Sequence, residues 1–327
     1  MHILVIGGAG YIGSHAVYEL NDAGHQVTIL DNFSTGLREN VDARAELVEG
    51  DVQDLTLLSR ILGGNGGSGS SSFDSVFHFA ALKAAGESMT DPEMFTSSNL
   101  VATMELLNMM VRHNVKNFVF SSSAATYGEP EYLPIDENHP QNPINYYGYT
   151  KLVIEQTLSW YSRLRGLRYA ALRYFNAAGY DTQGRITGKE QNPANLLPIV
   201  MEAASGQRKS MQVFGNDYPT RDGTCIRDYI HVNDLATAHV RSMEYLKEKD
   251  EDLCLNLATG KGYTVLEVIK EAEKVSGRTV PYKITDRRPG DPAELVAAST
   301  RALETIGWKA RHSDVSQIVE SMWHIYK

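Results

Sequence analysis

The sequence has 327 residues, enough for about two domains. Hydrophobic residues (42%) and charged residues (22%) occur in the balance of a soluble globular protein, and a net charge of −9 disfavours nucleic-acid binding. No apolar run is long enough to span a membrane, and the two cysteines, Cys225 and Cys254, lack metal-ligand spacing. We therefore expect a cytoplasmic protein without a metal ion, a disulfide framework or a membrane partner.

Short runs rich in Val, Ile, Leu and Phe alternate with helical patterns along the first half of the chain. The predicted strands are 2–6, 26–30, 46–49, 75–79, 117–121 and 168–174, and the predicted helices are 12–23, 92–112 and 147–164. Near-continuous apolar runs such as residues 3–6 are typical of strands buried on both faces. The pattern predicts an α/β fold with a Rossmann-type doubly wound parallel sheet.

The alternation loosens after residue 174, which predicts a smaller mixed α/β domain over 175–327, with the nucleotide-binding domain at 1–174. Residues 192–198 and 286–292 have loop composition, and helices are predicted at 197–205, 233–246 and 264–276. Thr264 and Glu267 have the spacing of a capping box, with Gly277 as the stop. Residues 63–72 are rich in Gly and Ser and predict a flexible loop.

A glycine-rich turn joins the first predicted strand to the first helix. Gly7 suits the tight turn, Gly10 lets the backbone approach a pyrophosphate, and Gly13 allows close packing of helix on sheet. Asp31 ends the second strand, 18 residues after Gly13, where a carboxylate accepts from ribose hydroxyls and repels a 2′-phosphate. The turn and the acid predict NAD rather than NADP as cofactor.

Tyr147 and Lys151 lie four residues apart on one predicted helix and therefore share a face. Near a lysine and a cationic nicotinamide, a phenol ionises more readily and can take a proton from a sugar hydroxyl. Ser123 follows a parallel strand at its carboxyl edge, where open α/β folds bind ligands. This order of glycine turn, ribose acid, strand-end serine and Tyr/Lys pair predicts a base that can take a proton from a sugar or alcohol hydroxyl.

The constellation resembles the extended short-chain dehydrogenase/reductase superfamily and, within it, the UDP-glucose 4-epimerase family. Matching stretches include residues 7–14, 78–84, 117–128, 172–176, 214–220, 227–232 and 287–291. The resemblance implies that the catalytic residues are Ser123, Tyr147 and Lys151. The implied NAD contacts, besides the glycines, are Tyr11, Ile12, Asp31, Asn32, Phe33, Ser34, Thr35, Gly36, Asp51, Val52, Phe79, Ala80, Ala81, Leu82, Lys83, Asn99 and Phe175. The implied UDP-sugar contacts are Asn176, Asn195, Leu196, Phe214, Arg227, Arg288 and Asp291.

By the same resemblance, Tyr147 removes the proton of the sugar 4-hydroxyl while hydride passes to NAD, and hydride then returns to the opposite face of the 4-keto sugar. A homodimer formed through helices 92–112 and 147–164 is also implied. Tyr218 and His231 are interpreted as structural. Arg227 and Arg288 suit a diphosphate because a guanidinium is permanently charged and can bond in a bidentate manner.

Three alternatives bear on this interpretation. Nucleotide-sugar dehydratases carry a carboxylate pair after the strand-end hydroxyl, where this chain has Ala124 and Ala125. A UDP-xylose or UDP-glucuronate 4-epimerase would use the same core chemistry, and a non-catalytic NAD-binding sensor would share the fold. Leu295 stands where some family members have a bulky Tyr, so UDP-GlcNAc and UDP-GalNAc are also candidate substrates.

Overall fold

A computed structural model describes residues 1–63, 73–190, 193–288 and 290–327. In chain order the strands are β1 His2–Ile6, β2 Gln26–Asp31, β3 Glu46–Glu49, β4 Ser75–His78, β5 Asn117–Ser123, β6 Arg168–Tyr174, β7 Asn176–Ala178, β8 Met211–Phe214, β9 Ile226–His231, β10 Leu253–Leu257, β11 Gly262–Thr264, β12 Tyr282–Thr285 and β13 Glu294–Leu295. The helices are α1 Tyr11–Asp22, α2 Leu55–Gly63, α3 Ala85–Ser88, α4 Pro92–Phe95, α5 Ala102–Arg112, α6 Tyr146–Arg165, α7 Leu196–Ser205, α8 Val232–Lys249, α9 Val265–Ser276, α10 Thr300–Ile306 and α11 Val315–Tyr326.

The first compact unit comprises Met1–Gly128, Gln141–Arg173 and Ala236–Leu255. Its sheet has the strand order β10-β6-β5-β4-β1-β2-β3, and β1 pairs in parallel with both β2 and β4. The chain moves in opposite directions across the sheet after β1, which makes the β1/β4 edge the switch point where such folds bind ligands. The predicted Rossmann-type α/β fold is confirmed.

The core of this unit lies between the sheet and its helices. Its members are apolar side chains from β1, β4, β5, α2, α5 and α6, among them Leu4, Ile6, Val76, Leu106, Phe118, Phe120, Ile154 and Leu158. The predicted burial of residues 3–6 is confirmed, since all four are almost completely inaccessible. Within the described ranges, no helix combines the length and the apolar composition needed to cross a bilayer.

The single helix predicted over 92–112 is wrong in its middle. Six residues, Thr96–Val101, form a π-helical segment between α4 and α5. A π turn inserts an extra residue into the helix, and such segments are frequent at functional sites. Periodicity could not show it, because the apolar face continues on both sides of the segment.

Other differences concern the ends of elements. Helix α2 includes Gly63, the first residue of the predicted Gly/Ser loop, and residues 64–72 lie outside the described part of the chain. Helix α7 begins at Leu196, inside the predicted loop 192–198. Pro198 is tolerated there because the N–H groups of a first helical turn have no intrahelical partner.

The second compact unit comprises Glu129–Pro140, Tyr174–Leu235 and Asn256–Lys327. In one sheet β9 pairs with β7, β11 and β13, and in another β8 pairs in parallel with β12. The predicted capping box is confirmed: Thr264 Oγ1 accepts from the N–H of Glu267, and the Glu267 carboxylate accepts from the N–H of Thr264. Gly277 ends α9 with φ +66°.

Both units are discontinuous in sequence, unlike the two contiguous segments expected. β10 joins the edge of the first sheet beside β6, which returns residues 236–255 to the first unit. Ile135 exchanges backbone hydrogen bonds with Val296 and Ala298, which places residues 129–140 in the second unit. Local composition does not report such pairings between distant segments.

Candidate active site

The glycine turn after β1 has steric requirements at two positions. Gly7 has φ +79°, and a Cβ atom there would lie 2.7 Å from the backbone nitrogen of Ala80. A Cβ atom at Gly13 would lie 2.1 Å from the Gly7 carbonyl oxygen. A larger residue at Gly7 would displace the turn or the segment after β4, and a larger residue at Gly13 would separate the helix from the turn.

The N-terminus of α1 has the properties of an anion-binding site. Gly10 is the N-cap and offers no side-chain acceptor, and the first turn contains no acidic residue. The first N–H groups of an α-helix have no carbonyl acceptor within the helix itself. A Cβ atom at Gly10 would approach only the Gly7 carbonyl oxygen, at 3.2 Å. These residues fit a pyrophosphate, which the exposed N–H groups and the helix dipole would bind.

Asp31 is oriented by the backbone around it. Its Oδ2 accepts from the N–H of Ala9 at 2.9 Å, and its Oδ1 accepts from the N–H of Phe33 at 2.8 Å. Gly36 packs on the carboxylate so closely that a Cβ atom would lie 2.7 Å from Oδ1. Each oxygen keeps a second lone pair, so the carboxylate could also accept from two ribose hydroxyls.

Two further predicted cofactor positions are joined directly. The amide of Asn32 donates to the Asp51 carboxylate at 2.7 Å, which ties the end of β2 to the segment after β3. Ser34 donates its N–H to Asn32 at 2.9 Å. The remaining predicted residues here, Phe33, Thr35 and Val52, lie in the same two strand-end segments.

Residues 79–83, all predicted cofactor contacts, follow β4 at the switch point, and Asn99 fixes this loop. The Asn99 amide accepts from the N–H of Leu82 at 2.9 Å and donates to the Leu82 carbonyl at 3.0 Å. It also donates to Thr150 Oγ1 on α6 at 3.3 Å. Asn99 lies within the π-helical segment, so this irregular turn carries the side chain that positions the loop.

Ser123, Tyr147 and Lys151 come together within the first unit. Ser123 is the last residue of β5, and its hydroxyl is hydrogen-bonded to Tyr147 and accepts from the N–H of Ala125. Lys151 is buried, and its Nζ donates to the Ser121 carbonyl at 2.8 Å. The same Nζ lies 5.7 Å from the centre of the Tyr147 ring and 4.8 Å from that of Phe120.

The ionisation of this trio differs from the simplest expectation. Burial raises the pKa of Tyr147, and the hydrogen bond from Ser123 lowers it only in part. Burial also lowers the pKa of Lys151 to about 7, while Glu155 opposes that shift. The protein groups alone therefore do not make Tyr147 easy to ionise. A cationic nicotinamide would supply the missing positive charge.

In the second unit, five predicted substrate residues form a cluster. Arg227 on β9 is ion-paired with Asp291, and Leu295 on β13 stands opposite Arg227 in the strand register. The Arg288 guanidinium lies over the Phe214 ring, 4.5 Å from its centre. Phe214 and Arg288 meet because β8 and β12 are parallel and Phe214 and Thr285 end them side by side.

The other predicted substrate residues lie elsewhere in the second unit. Asn176 is on β7 and donates to the Asp228 carbonyl at 2.9 Å. Asn195 is the N-cap of α7 and Leu196 its first residue, and among the described residues neither is hydrogen-bonded to the arginine cluster. Phe175, a predicted cofactor contact, also belongs to this unit.

Comparison with known proteins agrees with this geometry. The model of the NAD dependent epimerase/dehydratase family matches residues 3–258. The chain belongs to that family.

Relatives within the family match the chain over its full length. The UDP-glucose 4-epimerase of Halalkalibacterium halodurans is 45% identical, with 100% of this chain and 96% of that protein covered. The crystal structure of the Brucella ovis UDP-glucose 4-epimerase in complex with NAD has a TM-score of 0.95 and 42% identity, covering 99% and 98% of the two chains. The Bifidobacterium longum enzyme in complex with NAD⁺ and UDP has a TM-score of 0.91 and 39% identity, covering 99% and 98%.

One residue of this site, Glu155, was not predicted from the sequence. Glu155 on α6 is ion-paired with Arg173 and accepts from Ser122 Oγ, directly beside the trio. Its spacing of four residues from Lys151 and eight from Tyr147 was the available signal. Tyr218, interpreted as structural, stacks on Arg287 at 4.2 Å, and its buried hydroxyl has no hydrogen-bond partner within the described chain. His231, interpreted likewise, is fully buried and accepts from the N–H of Asn233.

Proposed function

We propose that this protein is an NAD-dependent UDP-glucose 4-epimerase that interconverts UDP-galactose and UDP-glucose through a 4-keto sugar. The observation that carries the proposal is the hydrogen bond between Ser123 and Tyr147 with the buried amine of Lys151 beside them. A phenol, a hydroxyl and an amine in this arrangement can remove and return the proton of an alcohol. Family membership supports the cofactor, and the relatives' names support the substrate.

Bound NAD would supply the hydride acceptor and donor for the sugar C4. The glycine turn and the α1 N-terminus would bind its pyrophosphate, and Asp31 would accept from the adenosine ribose. Tyr147 would take the proton of the sugar 4-hydroxyl as the C4–H bond breaks and return it when that bond re-forms. Ser123 would donate to the same sugar oxygen. Because NAD is regenerated in each cycle, the protein should retain it.

The arginine cluster of the second unit would bind the UDP group. Arg227 and Arg288 together carry two permanent positive charges, and the Phe214 ring offers a flat apolar face near Arg288. In the free protein Asp291 neutralises Arg227, and a diphosphate would compete for that guanidinium. Asn176, Asn195 and Leu196 would complete the contacts to the nucleotide and sugar.

The test is direct. Purified protein is given UDP-galactose with no added cofactor, and formation of UDP-glucose is measured. Conversion supports 4-epimerisation with resident NAD. Absence of conversion with bound NAD present, followed by turnover of UDP-xylose or UDP-glucuronate, would replace the substrate while keeping the chemistry. Bound NAD with no turnover of any UDP-sugar would favour the sensor.

The proposed substrate range includes N-acetylated sugars. Leu295 is smaller than the Tyr found in some family members, and the smaller side chain would leave room for an N-acetyl group at C2 of the sugar. Leu295 is half-buried and pairs with Arg227, so its side chain lies in the proposed nucleotide-sugar region. Turnover of UDP-GalNAc by the native enzyme would support the wider range, and its absence would restrict the protein to UDP-glucose and UDP-galactose.

We also infer a cytoplasmic homodimer. Phe95 is buried, and Leu100 and Met104 are partly buried against the core of the first unit, so these three residues do not form the interface. Val101, Trp160 and Leu164 remain at least half exposed on the two helical segments that family resemblance implicates. Apolar side chains of this size favour association when they cluster. Light scattering should return the mass of two chains, and a single-chain mass would contradict the dimer.

A further inference from the structure

One face of α6 contacts three consecutive residues at the end of β5. Tyr147, Lys151 and Glu155 are spaced by four residues and so lie along one stripe of the helix. Tyr147 is hydrogen-bonded to Ser123, Lys151 donates to the Ser121 carbonyl, and Ser122 Oγ donates to the Glu155 carboxylate at 2.5 Å. Each of the last three residues of β5 is thus hydrogen-bonded to a residue of α6.

Glu155 is the most heavily bonded member of this stripe. Besides the Ser122 hydroxyl, its carboxylate accepts from Arg173 Nε at 2.9 Å, from Arg173 Nη2 at 2.5 Å and from the Gln141 amide at 3.2 Å. Arg173 in turn donates to the Tyr127 hydroxyl at 2.9 Å. The side chains of Glu155 and Arg173 are only 7% and 6% exposed. A buried, fully bonded ion pair of this kind fixes geometry more than it adds stability.

We propose that Glu155 is a positioning residue of the reaction, which holds Ser123 in place through Ser122 and places a negative charge one helical turn from Lys151. The proposal rests on the proposed 4-epimerase function, since Ser123, Tyr147 and Lys151 are the reacting groups there. Glu155 itself touches neither sugar nor cofactor in this scheme. It acts on the strand through a hydrogen bond and on the lysine through its negative charge.

The electrostatic role of Glu155 depends on which charged groups surround Lys151. Glu155 raises the pKa of Lys151 against the larger, opposing effect of burial. His78 on β4 also faces this region, but burial lowers its pKa to about 3, so it is neutral at working pH. Tyr147 is on the same helix, and burial holds it in its neutral form in the free protein. Arg173 carries the opposing charge, and its pKa stays raised by its bonds to Glu155.

Two variants separate the two roles. Glu155→Gln keeps the shape of the side chain but removes its charge, so the pKa of Lys151 should fall and the alkaline limb of the kcat–pH profile should move to lower pH. If the pKa of Lys151 falls by about one unit, kcat at pH 8 should fall about tenfold. Ser122→Ala removes only the hydroxyl, so kcat should fall while the alkaline limb stays in place. KM for UDP-galactose should change little in either. Gln156→Ala, an exposed position on the same helix, is the matched control.

A merely structural role predicts a different result: a uniform loss of kcat that follows the fraction of folded enzyme, with an unmoved pH profile. An alkaline limb in Glu155→Gln identical to that of the native enzyme would overturn the electrostatic role. Native kcat in Ser122→Ala would overturn the positioning role. This variant keeps the Glu155–Arg173 ion pair and so still tests the proposal if Glu155→Gln fails to fold.

A second readout does not depend on activity. Amide hydrogen exchange at residues 121–123 should accelerate in Ser122→Ala and in Glu155→Gln, while exchange in β1 and β4 stays native. Unchanged exchange at the strand end would contradict the proposal. If the native protein does not convert UDP-galactose, the proposed function fails, whereas the exchange measurement still tests whether Glu155 holds this strand.

Discussion

The buried amine of Lys151 donates to the carbonyl oxygen of Ser121 at 2.8 Å, which ties the middle of the α6 stripe to the carboxyl end of β5. This bond places a positive charge within 5.7 Å of the Tyr147 ring centre, in a region where a charge is costly to keep. Holding an ammonium beside a phenol in this region therefore lowers the stability of the fold.

The cost can be measured as a pH-dependent stability. The pKa of Lys151 is about 7 in the folded protein against an ordinary 10.5. Between these values the unfolded chain holds a proton that the folded chain lacks, so the contribution of Lys151 becomes less destabilising as pH rises from 7 to 10.5. Below pH 7, Lys151→Met should therefore be more stable than the native protein. The gain should be a few kcal/mol, reduced by the loss of the hydrogen bond to Ser121. The gain should shrink toward pH 10.5.

Urea unfolding at pH 6.5 and pH 9.5 measures this difference. Lys270→Met, which removes an exposed lysine from α9, should show no such pH dependence. A Lys151→Met variant that is less stable than the native protein at both pH values would contradict the buried-charge account.

Tyr218 supplies a second stability prediction. Its hydroxyl is buried without a hydrogen-bond partner in the described chain, and burial raises its pKa. Tyr218→Phe should increase the free energy of unfolding by about 1 kcal/mol, because it removes an unsatisfied polar group. Tyr161→Phe is the matched comparison, since the Tyr161 hydroxyl donates to Asn108 at 2.7 Å and its loss should destabilise. Equal effects of the two variants would contradict the prediction.

Arg227 should contribute mainly to binding. In Arg227→Met the diphosphate loses a buried, charged donor. The free energy of UDP binding should therefore weaken by about 2 kcal/mol, which raises the Kd roughly 30-fold. The variant should also show a weaker salt dependence of UDP binding. Arg221→Met, which removes an exposed arginine paired with Glu267, should bind UDP normally. Calorimetric titration measures both, and native affinity in Arg227→Met would remove this residue from the nucleotide site.

Leu295→Tyr tests the room around the sugar. The larger ring should lower kcat/KM for UDP-GalNAc at least tenfold while leaving that for UDP-galactose within about threefold. Parallel assays of both substrates with the native protein and the variant give the ratio directly. An unchanged ratio would mean that Leu295 only packs and does not set substrate width.

Much of the first unit was predictable because most of its strands contain short apolar runs and its site residues follow them. β1, β3 and β6 have the predicted bounds, and Gly7, Asp31 and Ser123 lie at strand ends as expected. The π-helical segment at Asn99 was not predictable, since the apolar face of the helix continues through it. The Glu155–Arg173 pair was missed for another reason: the partners come from a helix and a strand and meet only in the folded sheet.

The second unit was harder because its strands are short and pair across long separations. β13 has only two residues, and it pairs with β9, where Leu295 lies opposite Arg227, 68 residues earlier in the chain. The arginine cluster was found through family motifs rather than through periodicity. Its geometry, with Arg227 bound by Asp291 and Arg288 lying over Phe214, needed the structure.

The central claim is that Tyr147 is the acid–base of a 4-epimerase with resident NAD. The most direct measurement compares native protein with Tyr147→Phe, each purified without added cofactor, for bound NAD and for conversion of UDP-galactose to UDP-glucose. The account predicts equal bound NAD and a loss of kcat of about 10²- to 10⁴-fold in the variant. Near-native turnover by Tyr147→Phe, or no turnover of UDP-galactose by NAD-loaded native protein, would contradict it.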